Sequence, residues 1–163
     1  MPNPPPTCRR EVVALFSSRD AVMSAIEALL AAGFQRPDLS LLASHDSIDA
    51  AAPDPGWRAR LVALVDELRY EGPLVTAGLI AVAAGPVGAL ISGLIAAGIG
   101  GAALKDLMEK ITARPHADEF ARAVTAGSII LWVDVQDGAH EALAGKIMTQ
   151  CGGVNVHTNL RPV

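Results

Sequence analysis

The side chains with which this sequence could do nucleophilic or metal chemistry are His45, His116, His140 and His157, with Cys8 and Cys151. A zinc site needs three or four such ligands at short, recurrent spacing, as in HExxH or CxxC, and neither pattern occurs. A nucleophile needs a base within hydrogen-bond reach. His140 and Cys151 fall on one helical stretch but about three turns apart, too far for that pairing. Gly98-Ile99-Gly100-Gly101 has the glycines of a phosphate loop without a Gly-Lys-Ser/Thr ending or a preceding strand. The residues therefore predict no catalytic set, no metal and no cofactor, and the protein reads as non-enzymatic.

Composition narrows the partners. A formal charge of −4 and an aromatic content of 4% argue against nucleic acid, which needs basic surfaces or stacking platforms. Hydrophobic residues make up 51% and charged residues 18%, and the apolar excess is concentrated between Pro73 and Leu104. Two cysteines cannot build a disulfide framework. The opening MPNPPPTCRR has no apolar core, so it does not read as a secretory signal. Residues 1–10 are expected to form a disordered, proline-rich tail, and the chain is placed in the cytoplasm.

The elements that would position any site follow from hydrophobic periodicity. EVVALF (Glu11–Phe16) reads as a buried strand. A helix follows, with Ser17 as N-cap, Asp20 in its first turn, Val22, Ile26 and Leu29 or Leu30 on one face, and Gly33 as the left-handed stop. LSLLAS (Leu39–Ser44) is the second strand. HDSIDAAAPDPG reads as a loop and Trp57–Tyr70 as an amphipathic helix. After the apolar stretch, Lys105–Gly127 reads as helical with a break at Pro115. SIILWVDV (Ser128–Val135) is the clearest strand, GAHEALAGKIMTQCGG a helix from Gly138 ending at Gly152 or Gly153, and VNVHTN a short last strand with Val154 and Val156 facing inward. Without residues 45–127 the order is β-α-β, β-α-β. That is the element order of a ferredoxin-like fold, an α+β class with helices on one face of an antiparallel sheet. Residues 11–163 are accordingly one such domain, interrupted at 45–127 between its second and third strands. Cys8 and Cys151 then precede neighbouring antiparallel strands at opposite ends, and no bridge is expected.

The interruption carries GLIAVAAGPVGALISGLIAAGIGGAAL (Gly78–Leu104), and from Pro73 to Leu104 there is no charged residue. One membrane crossing needs about 20 apolar residues, but a single crossing would leave the two halves of one sheet on opposite sides of the bilayer. Two ideal crossings need on the order of 40 residues and a turn. A helical hairpin over 73–104 is expected instead, with arms from about Leu74 to Ala84 and from Val87 onward, broken at Gly85-Pro86. Ala77, Ala81, Gly85, Ala89, Gly93, Ala97 and Gly101 recur every four positions. That spacing makes a ridge almost without side chains, along which another backbone can pack closely. The hairpin then packs its arms on each other, packs on its own domain, dips into one leaflet of a membrane, or packs on a second copy. On the third strand, Ile130 and Trp132 share the face opposite Leu131 and Val133, so either an open apolar sheet face stands there as a candidate interface or the insert folds over it.

RPHADEFARAVTAGSIILWV (Arg114–Val133) and HEALAGKIMTQCGGVNVH (His140–His157) carry a resemblance. With the apolar insert before them, they resemble bacterial general-stress-type proteins of the YflT-like group. The match rests on His116-Ala117-Asp118, Gly127, Leu131-Trp132-Val133 and Gly152 through His157, and extends over most of residues 11–159. It implies a glycine-rich segment inside a ferredoxin-like frame and a stress- or envelope-associated role without enzymatic activity. The expectation is a homo-oligomer, or a protein attached to the inner face of the membrane through the ridge. The alternative is a soluble regulatory module that binds a small ligand or a protein on the open sheet face.

Overall fold

A computed structural model of the chain describes residues 8–44, 79–83, 119, 122, 123, 126 and 128–162. Among them are β1 (Cys8–Phe16), α1 (Arg19–Ala31), β2 (Leu39–Ser44), β3 (Leu79–Ala83), β4 (Ile129–Val135), α2 (Gly138–Gln150) and β5 (Val154–Pro162), with a 3-10 turn at Arg36–Asp38 leading into β2. All five strands join one antiparallel sheet in the order β3-β2-β4-β1-β5. β4 lies between β1 and β2, and β1 lies between β4 and β5. Each β-α-β unit is therefore split by a strand of the other. The fold is α+β, with no helix among the described residues long and apolar enough to cross a membrane.

The alternation of β1 sets the two faces. Val12, Ala14 and Phe16 join Leu39, Leu41, Ile129, Leu131 and Val133 in the core beneath the helices. α1 contributes Val22, Ile26 and Leu29 to this core, while α2 contributes Ala144 and Met148. Each fully buried large aliphatic here is worth about 1.5–3 kcal/mol of transfer free energy.

Both helices begin and end by the same chemistry. Ser18 Oγ accepts from the Ala21 N–H at 3.3 Å, and Asp137 Oδ1 accepts from the His140 N–H at 2.8 Å. The first cap thus falls on Ser18, one residue beyond Ser17. At the C-termini, Gly33 and Gly152 adopt φ of 103° and 92°, the left-handed region that lets the chain reverse. The Phe34 N–H then donates to Leu29 O and the Gly153 N–H to Met148 O, which satisfies carbonyls the helix ladder leaves open. Phe34 packs in the same core as Leu29, so its burial closes the first turn.

Several expectations change. β1 starts at Cys8, inside the expected tail, because residues 8–10 pair with Pro162, Arg161 and Leu160. β5 correspondingly runs to Pro162 rather than ending near Asn159. Its register against β1 shifts between Val13 and Leu15, and Asn155 sits at φ 50°, a left-handed value that asparagine tolerates. The extra residue turns Val154 outward, 59% exposed, against the inward position expected for it, while Val156 still packs on the core. The first arm of the apolar hairpin is also different: Leu79–Ala83 is a strand, paired with Ser40–Ser44, with Ala81 opposite Leu42. A four-residue recurrence is even, so it fits a strand's period of two as well as one helical face. Ile80 and Val82 are β-branched, and β2 offers an edge with unpaired backbone groups, which decides for the strand. The remaining ridge positions, Ala77, Gly85, Ala89, Gly93, Ala97 and Gly101, lie outside the described residues.

A Cβ at Gly153 would meet Met148 O at 2.7 Å and Phe16 Cζ at 3.1 Å, whereas at Gly138 it would meet nothing. Gly153→Ala is expected to lower stability by about 1–3 kcal/mol. Gly138→Ala should leave the urea midpoint within error of the parent, with the m-value constant in both.

Candidate functional site

The face of the sheet opposite α1 and α2 is unusual in its chemistry. Strand register aligns Ser40, Trp132, Val13 and His157 in one row across β2, β4, β1 and β5. A neighbouring row aligns Asp134, Glu11 and Asn159, and Arg9 stands opposite Arg161. Ser40, Glu11 and Asn159 are buried, as are Ile130 and Trp132, at 0% and 1% exposed. Of the two expectations for this face, the covered one matches the burial of Ile130 and Trp132. Large apolar groups on both sides of β4 are covered in the folded chain, as the cost of leaving them in water demands.

The polar row holds a buried ion pair. Arg161 Nη2 donates to Glu11 Oε1 at 2.6 Å, with the carboxylate side chain 1% and the guanidinium 16% exposed. Arg9 Nη1 lies 3.8 Å from Asp134 Oδ2, nearer the surface. Burial pushes the Glu11 carboxyl up from its ordinary 4.5, with Arg161 pulling the other way, and burial likewise raises Asp134 against the pull of Arg9. Glu11 Oε2, Ser40 Oγ, Trp132 Nε1 and Arg161 Nε are buried without a hydrogen-bond partner in the protein. Such groups are ordinarily satisfied by bound water.

On the helix face, Glu141 of α2 bridges two strands. It accepts from Arg10 Nη1 at 2.8 Å and from Thr158 Oγ1 at 2.6 Å, and these bonds hold its carboxyl below the usual range. Beside it a groove of about 460 Å3 runs between α2 and β5, bordered by Val12, Ala142, Gly145, Val156 and Thr158. A smaller polar recess of about 160 Å3 lies where Gln35, Asp38, Asp134 and His140 approach one another. His140 Nδ1 is 2.8 Å from Asp137 Oδ1, and its ring stands edge-on to Phe34 at 5.8 Å. His157 Nδ1 contacts the Asn155 carbonyl. Cys8 is exposed at the outer end of β1, while Cys151 is the C-cap of α2, near the opposite end of the β1–β5 pair. Among the described residues, no group of three or more His, Cys, Asp or Glu side chains is placed to hold a metal. The charged side chains join β1, β4, β5 and α2 to one another, which is structural chemistry.

Glu11 and Arg161 were not singled out by sequence reading. The available signal was phase: Glu11 falls on the same alternation as Val13 and Leu15, a carboxylate where the strand pattern asks for a buried residue. Comparison with protein families, with curated proteins and with solved structures finds no match to this chain.

A carboxyl whose folded pKa is raised contributes stability that is whole below its unfolded pKa and is lost as pH rises through the folded one. Glu11 and Asp134 therefore make stability fall as pH rises above their ordinary values of 4.5 and 3.8. Asp137 and Glu141, both lowered, contribute above their unfolded pKa values and lose that contribution on acidification. Glu11→Gln is expected to flatten the descending part of the profile, measured as the difference from the parent in urea unfolding between about pH 4 and pH 8. Arg161→Ala, which leaves the Glu11 carboxylate buried alone, is expected to cost about 3–5 kcal/mol at neutral pH.

Proposed function

We propose that this is a non-enzymatic, stress-associated protein whose ferredoxin-like frame presents the apolar Gly/Ala segment for self-association or peripheral attachment to a membrane. The carrying observation is the small-residue recurrence from Ala77 to Gly101 inside a stretch, Pro73 to Leu104, without a charged residue. A surface of this kind gains little from contact with water and much from a closely approaching backbone. The order β2-β4-β1-β5, all antiparallel, supports the ferredoxin-like frame. The engagement of Glu141, Glu11 and Arg161 in bonds between elements, with Asp137 capping α2, supports a scaffold rather than a catalyst. The resemblance to YflT-like stress proteins supplies the biological setting, in the cytoplasm at the inner face of the membrane.

The strand at Leu79–Ala83 refines this reading. Ala81 is occupied in pairing with β2, so the packing ridge is carried by Gly85, Ala89, Gly93, Ala97 and Gly101. A deletion of 73–104 would remove an edge strand together with the ridge, and a point substitution is the cleaner probe. Gly93→Leu is expected to abolish assembly seen by size exclusion, or flotation with phosphatidylglycerol-containing vesicles, while far-UV circular dichroism stays that of the parent. A variant that elutes and floats like the parent would refute the proposal.

A further inference from the structure

We draw no further inference here: the strongest candidate, the buried sheet face opposite α1 and α2 on which Glu11 Oε2, Ser40 Oγ and Trp132 Nε1 lack a hydrogen-bond partner in the protein, carries none because nothing among the described residues shows what covers it.

Discussion

The constraint on which the structure depends is that its two central strands are apolar on both sides. β1 and β4 pair with each other over seven residues, from Arg10 opposite Val135 to Phe16 opposite Ile129. In that ladder, Val12, Ala14, Leu131 and Val133 face the helices, and Val13, Leu15, Ile130 and Trp132 face the other way, all buried. Neither strand could be stable in a sheet with one wet face. Everything else follows from satisfying both sides. α1 and α2 dock over one side through small and aliphatic residues, and β2 and β5 flank the ladder so that its backbone groups are paired.

Polar groups within such a layer must be held rather than solvated. Glu11 enters at the end of the apolar run and is matched by Arg161 from the adjacent strand, with Asp134 and Arg9 completing an alternating set nearer the surface. Because burial outweighs the guanidinium in its effect on the Glu11 carboxyl, the pair fixes geometry more than it adds stability. It pins the register of β5 on β1 just where the strand, having been shifted by the bulge at Asn155, could otherwise slip. Glu141 does the same work from above, tying α2 to Arg10 and Thr158.

Local chemistry was the part of the fold most legible in the sequence. EVVALF, SIILWVDV, the first helix with Gly33 behind it and the helix ahead of Gly152 all declare themselves by period and by stop signal. Boundaries set by distant partners were less visible. Residues 8–10 look like a tail until Leu160, Arg161 and Pro162 are placed beside them. Leu79–Ala83 looks helical until the edge of β2 is available, since glycine and alanine at a four-residue recurrence satisfy either period. The outward turn of Val154 depends on one left-handed residue, Asn155, whose type permits the bulge without announcing it. Of the candidate site, Ile130 and Trp132 were read on the correct common face, but their burial is a property of the whole chain and not of the strand that carries them.

The placement of β1 has a kinetic corollary. Its hydrogen-bonding neighbours are β4 and β5, so the first strand among the described residues borders the last two of them. Nearly all of its stabilising contacts close very long loops, and chains dominated by such pairings cross a slow entropic barrier before any reward arrives. Until β4 emerges, the stretch from Val12 to Phe16 is an apolar segment without a template. A nascent chain thus passes through a stage in which this apolar strand waits for its match, and an unpaired apolar strand is exposed to aggregation for as long as that wait lasts.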